Sequence, residues 1–167
     1  MKKILLSVLF TALVCGTGFA QNSKADKEAA AAALFAKASA AIEAKDFVIV
    51  PDQYESSTGT VESSNDDFAF IAYEGEFLYL QGMIVCSNSY TNRTTVSEFK
   101  SELDKKGNLK VIIQTKGSAI TAKIEISMKK NGNYADVIVT PTKGDTRRFS
   151  GEVTLRSESK YRKRSNE

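Results

Sequence analysis

The side chains that most often carry chemistry are scarce in this 167-residue chain. It has no histidine, so the usual general base at neutral pH and the commonest transition-metal ligand are both missing. The two cysteines are Cys15 and Cys86, too few for a thiolate metal site. A cysteine nucleophile without histidine would need an unusual activating neighbour. Cys86 follows Ile84 and Val85 and reads as a small buried hydrophobe. Carboxylates alone can catalyse, as paired Asp and Glu do in glycosidases. Here Asp66 and Asp67 sit side by side in a loop, where turn chemistry is the plainer reading. Glu74 and Glu76 bracket a turn glycine and serve to keep that tip soluble.

Other ligand-binding patterns fare no better. Asn65-Asp66-Asp67 is too sparse for calcium. The glycines are dispersed singly, so no phosphate cradle is expected, and most of them mark turns. Asn92-Arg93-Thr94 matches the N-glycosylation pattern, but so short a match carries little weight. The expectation is a protein without metal or cofactor and without catalytic residues. What remains is an aromatic concentration: Phe68, Phe70, Tyr73, Phe77, Tyr79 and Tyr90. Ordinary strand packing explains it most simply. The functional alternative is a cavity wall for an apolar or glycan ligand, lined by Tyr73, Phe77 and Tyr79.

These residues belong to elements that the spacing announces. Lys2 and Lys3, the uncharged apolar run Ile4 to Val14, and Gly18-Phe19-Ala20 form a signal peptide cleaved after Ala20. The apolar run is far short of the roughly 20 residues that span a bilayer, so no stable membrane anchor is expected after cleavage. Lipidation at Cys15 is disfavoured by bulky Val14 before it. Loss of residues 1–20 leaves 21 basic against 20 acidic residues, a net charge of +1. That balance gives no reason to expect nucleic acid as a partner. With one cysteine left, no intramolecular disulfide can form, and the core must hold the fold.

Residues 21–45 are alanine-rich and free of Gly and Pro, a helix by propensity. Ser23 with Asp26 three residues on resembles a capping box. Leu34, Phe35 and Ile42, with Ala38 between them, share a narrow apolar face. A lightly attached arm is favoured, because alanine contributes little apolar area. The other reading is a helix that closes a barrel end or seals a groove.

From residue 46 to 158 the apolar period changes to two. Ile120, Ala122, Ile124, Ile126 and Met128 alternate with polar residues, and Asn131-Gly132 turns the chain into Tyr134 to Thr140. Further strands are expected at Phe47 to Val50 (stopped by Pro51), Thr58 to Glu62, Phe68 to Tyr73, Phe77 to Val85, Thr94 to Leu103, Leu109 to Lys116 and Arg148 to Arg156. The fold class is mainly β: an antiparallel meander of about eight or nine strands, barrel-like or strongly curved, beside an N-terminal helix. A two-layer β-sandwich is the alternative. Residues 159–167 form a basic tail, Lys160-Tyr161-Arg162-Lys163-Arg164 at its centre, read as a solvated terminus in preference to an element that meets anionic lipid or polysaccharide.

Several of these segments together resemble a known family. The Ala/Lys/Glu helix runs into Phe47-Val48-Ile49-Val50-Pro51-Asp52; Asn65-Asp66-Asp67-Phe68 precedes the Tyr73-Glu74-Gly75-Glu76 hairpin; and Phe149-Ser150-Gly151-Glu152-Val153 closes the order. This is similar to the domain of unknown function 4251 family of exported proteins from Bacteroides-like bacteria, over roughly residues 24 to 158. The loop after Cys86 is shorter than in relatives with glycine-rich stretches there. The resemblance implies a periplasmic or cell-surface location in a Gram-negative envelope and a lipocalin-like fold. It brings no catalytic residues. The leading expectation is a non-enzymatic envelope protein that binds a small apolar or glycan ligand. The alternative is an assembly module that meets an envelope protein through its helix or a sheet edge.

Overall fold

The computed structural model describes residues 23–164. The expected export segment, Cys15 included, lies outside the described residues. Helix α1 spans Ser23–Glu43. Nine strands follow: β1 (Asp46–Glu55), β2 (Val61–Ser63), β3 (Phe70–Glu74), β4 (Phe77–Gly82), β5 (Asn88–Leu103), β6 (Leu109–Gly117), β7 (Thr121–Met128), β8 (Tyr134–Pro141) and β9 (Arg147–Leu155). A one-turn helix, α2 (Met83–Cys86), separates β4 from β5, and a 3-10 turn, Arg156–Glu158, follows β9.

Every strand pairing is antiparallel, and the ring closes. From β3 to β9 each strand pairs with its sequence neighbour, while β1 pairs with both β3 and β9. The β1–β9 ladder runs from Phe47 opposite Leu155 to Tyr54 opposite Phe149. Eight strands therefore make a closed barrel, and β2 is an extra strand beside the second half of β1. Closure removes nearly all the unpaired edge that a sandwich would have to protect.

Alternation places one row of each strand inside. Phe47 and Ile49 of β1 face Ile71 and Tyr73 of β3 and Leu78 and Leu80 of β4. Val111 and Ile113, then Ala122 through Met128, then Ala135, Val137 and Val139, and finally Phe149 and Val153, complete the same cluster. Burying each of the larger side chains contributes about 1.5–3 kcal/mol before entropy. Two threonines reach the interior with their hydroxyls satisfied: Thr94 donates to the Leu78 carbonyl at 2.7 Å, and Thr115 donates to Thr94. The core is packed with side chains.

Both barrel ends are covered. Ala38, Ala41 and Ile42 of α1 join the interior cluster at the end where β1 begins and β9 finishes. The helix is thus a lid and not a loose arm. Its buried face is Phe35, Ala38, Ala41 and Ile42, while Leu34 stays half exposed. Lys45, left-handed at φ 56°, terminates it and turns the chain into β1. At the opposite end α2 inserts Val85 and Cys86. This one-turn helix replaces the last third of the expected Phe77 to Val85 strand. Gly82 marks the change: at φ 105° it follows a shift in the β4–β5 register, and a Cβ there would stand 2.7 Å from Ala69 Cα.

Pro51 does not stop β1. It sits where the β1–β9 register shifts, and β1 continues to Glu55. A bulge is a place where a missing N–H costs no ladder bond. The opposite residue, Gly151, allows the two backbones to come this close, since a Cβ would lie 2.2 Å from the Val50 carbonyl oxygen.

Candidate functional site

The three aromatic residues expected to line one cavity do not meet in one. Tyr73 points into the barrel, edge-on to Phe47 at 6.0 Å and to Phe99 at 5.9 Å between ring centroids. Strand alternation turns Phe77 and Tyr79 outward, because their β4 neighbours Leu78 and Leu80 point in. Phe77 lies under the Arg93 guanidinium at 3.7 Å, and Tyr79 lies under the Lys163 ammonium at 3.6 Å. Tyr73 is core, and the other two belong to the outer wall.

That outer wall carries a second, smaller apolar cluster of Val48, Phe70 and Ala72, flanked by Val50, Tyr79 and Tyr161. The presence of Tyr161 shows where the basic tail goes. It does not extend into solvent; residues 161–164 cross the outer face of β3 and β4. The Tyr161 ring packs edge-on against Phe70 at 4.8 Å, and its hydroxyl donates to Glu74. Lys163 Nζ reaches the other Glu74 oxygen at 2.7 Å. Arg162 donates its backbone N–H to the Asp67 carbonyl and its Nε to the Asp67 carboxylate, both at 3.0 Å. Arg164 lies over Phe68 at 5.0 Å.

Gln81 is the centre of this arrangement. It has no exposed surface, although it projects from the outer side of β4. Its Nε2 donates to the Phe68 carbonyl at 2.7 Å and to the Arg162 carbonyl at 2.9 Å. Its Oε1 accepts the Arg164 N–H at 2.8 Å and the Thr91 hydroxyl. The single Thr91 hydroxyl proton is shared with the Arg164 carbonyl, 2.9 Å from Oγ1.

The electrostatics follow from this packing. Burial alone would raise the Glu74 carboxyl, but hydrogen bonds from Lys163 and Tyr161, with the Lys163 and Arg156 charges, outweigh it and hold Glu74 below its ordinary value. Tyr161 is pushed up to about 12, by burial first and then by its bond to Glu74. Glu74 therefore does more than solubilise a hairpin tip. Of the acidic pair, Asp66 makes the expected turn, its Oδ1 accepting the Phe68 N–H at 3.0 Å, whereas Asp67 holds the tail.

The remaining candidates have structural explanations. Cys86 is buried, and desolvation pushes its thiol up to about 11 despite hydrogen bonds from Asn88 and Asn92. The Asn92 amide is itself buried and donates to the Leu80 and Tyr90 carbonyls, each at 3.0 Å, so it is closed to glycosylation. Among the described residues, no three His, Cys, Asp or Glu side chains gather as metal ligands. A cleft of about 400 Å³ lies on the outside between Lys100, Glu102, Lys110, Glu125 and Ser127. Another of about 330 Å³ runs beside the tail, between Asp52, Glu152, Lys160 and Tyr161.

A family model described as a domain of unknown function (DUF4251) matches residues 29–153. A crystal structure of a DUF4251 family protein from Bacteroides eggerthii DSM 20697 is similar in fold, with a TM-score of 0.68 at 24% sequence identity. The likeness covers 79% of this chain and 94% of that one. No curated protein matches this chain.

Proposed function

Since the chain belongs to the DUF4251 family, a domain of unknown function, we propose from its geometry that it is a non-enzymatic, exported cell-envelope protein working through contacts on the outer wall of its barrel. The observation that supports this reading is the filled interior. Phe47, Ile71, Leu80, Ile113, Ile124 and Met128 have no more than a trace of exposure, and α1 and α2 join the same cluster from opposite ends. Binding sites for small apolar ligands are roughly 300–1,000 Å³ hollows, and side chains occupy that space here. Export is supported by Lys2, Lys3 and the apolar run to Val14 ahead of Ala20. Recognition then falls to the surface. A small glycan would find its place in the open cleft beside Lys100, Lys110 and Glu125.

The test is uptake of a hydrophobic fluorescent probe such as N-phenylnaphthylamine, with fatty acids as competitors. The expected result is no saturable uptake by the folded protein. Stoichiometric uptake that fatty acids reverse would overturn the outer-wall reading in favour of an internal pocket. For export, cell fractionation with N-terminal sequencing is expected to place the protein in the envelope with Gln21 first. A cytoplasmic, uncleaved product contradicts it.

A further inference from the structure

Residues 161–164 lie on the wall as a peptide lies in a receptor. Side chains of the wall meet their main chain where a neighbouring strand would. The Gln81 carboxamide offers an N–H to the Arg162 carbonyl and an oxygen to the Arg164 N–H. Those are the two bonds that the N–H and C=O of one residue in a parallel neighbouring strand would make to residues i and i+2. The same amide is fixed from behind by the Phe68 carbonyl, so it is oriented before any chain arrives. The Asp67 carbonyl and Thr91 hydroxyl take the next main-chain groups on either side.

Alternate side chains, Tyr161 and Lys163, meet the groove that Glu74 lines. Tyr161 enters the slot against Phe70 and reaches Glu74, and Lys163 fits between Glu74 and the Tyr79 ring. Arg162, paired with Asp67, and Arg164, over Phe68, lie along the rim. Main-chain bonds that any sequence can make, with pockets for every second side chain, are how sheet surfaces recognise extended peptides.

We propose that this groove is a binding site for an extended segment of a partner protein bearing an aromatic residue and, two positions later, a lysine. The chain's own residues 159–164 occupy it as a tethered competitor. The proposal rests on the outer wall being the working surface. The acidic anchors Glu74 and Asp67 set the preference for a basic segment. Tethering gives the tail an effective concentration on the order of millimolar, so a partner segment enters when the tail is loosened or when its own affinity exceeds that level.

The experiment uses the full chain with Tyr161→Ala and Lys163→Ala, which frees the groove, and a fluorescein-labelled peptide of residues 159–164 as probe in an anisotropy titration. The expected result is saturable binding at least tenfold tighter than to the unsubstituted chain. Binding should be lost when the peptide carries Tyr161→Ala or when the protein also carries Gln81→Leu. Arg162→Pro, which deletes the N–H bonded to Asp67, frees the groove by a second route if the first variant melts early. A folded, tail-freed protein that binds no peptide overturns the proposal, as does binding that ignores Gln81→Leu. If light scattering shows concentration-dependent dimers of the unsubstituted chain, abolished by Tyr161→Ala, the occupant is a second copy and the partner assignment is wrong. Probe uptake into the barrel is a separate measurement, so failure here and failure of the outer-wall reading are told apart.

Discussion

Replacing Gln81 with leucine removes the amide at the centre of the groove while nearly conserving volume. With the tail in place, the Arg162 carbonyl and the Arg164 N–H would both lose their partner. The Thr91 hydroxyl would keep only the Arg164 carbonyl. A protein hydrogen bond contributes about 1 kcal/mol net, and a buried group left unpaired costs about 1–3 kcal/mol. Lifting the tail returns its two groups to water, so docking should weaken by roughly 2–3 kcal/mol. At about 1.4 kcal/mol per tenfold, the undocked population rises by roughly 30- to 150-fold. Lys160, Arg162, Lys163 and Arg164 make the tail a trypsin substrate only when it is free. Under mild conditions cleavage follows the open population. Mass spectrometry of a trypsin time course should show tail loss at least about 30-fold faster in Gln81→Leu, with the barrel's melting temperature nearly unchanged. Cleavage within twofold of the unsubstituted chain would refute the account of Gln81 as the tail's main-chain partner.

Three further expectations concern the wall, the groove and the barrel end. Gly151→Ala drives a Cβ to 2.2 Å from the Val50 carbonyl; it should cost about 3 kcal/mol, the top of the overpacking range, measured by urea unfolding, and a loss under 1 kcal/mol would mean that β1 and β9 separate easily. Tail docking should depend on pH at both extremes. Tyr161, held up to about 12 against an ordinary value of 10.0, favours docking fully below pH 10.0 and loses that contribution as pH rises toward 12. Glu74, held below its ordinary 4.5, favours docking above that value and loses it as pH falls through its lowered pKa. Tyrosinate absorbance should therefore show late-titrating phenols, Tyr134 at about 12 among them, from which Tyr161→Phe removes one, and the protection of amides 161–164 relative to their intrinsic exchange should fall in acid; a late phase that Tyr161→Phe leaves undiminished contradicts the geometry. Finally, the Cys86 thiol, pushed up to about 11, should ignore Ellman's reagent in the folded protein and react on unfolding in guanidinium; prompt native reaction would place it at an accessible surface.

Local patterning made the barrel legible. Ile120 to Met128, Asn131-Gly132 and Ala135 to Val139 fix a hairpin by period and turn chemistry alone, and β7 and β8 pair in that register. Exceptions arise where a remote contact overrides a local preference. Pro51 reads as a stop, but the opposite strand supplies Gly151 at the bulge. Met83 to Val85 reads as strand, but Gly82 packs on Ala69 and redirects the chain. The groove was invisible for the same reason. Tyr161 meets Phe70 across about ninety positions, and no spacing rule spans that distance. One local trace existed: Gln81 is an uncharged polar residue ending the apolar run Phe77-Leu78-Tyr79-Leu80. A buried amide there needs partners, and a basic tail with a single aromatic residue could supply them. Composition gave Tyr79 as a cavity candidate, whereas alternation with Leu78 and Leu80 already assigns it to the other face.

The junction between β1 and β9 also dictates a timetable for folding. Phe47 and Leu155 are over a hundred positions apart, and the ring stays open until they meet. Hairpins such as β7–β8 can form as soon as their residues are made, but the final seam must wait for nearly the whole polypeptide and for the loop-closure entropy it consumes. Until that moment β1 and β9 each show a bare ladder of amides and carbonyls. Synthesis interrupted before Arg147 would leave β1 and β8 without the strand that joins them, a sticky fragment instead of a smaller version of the same protein.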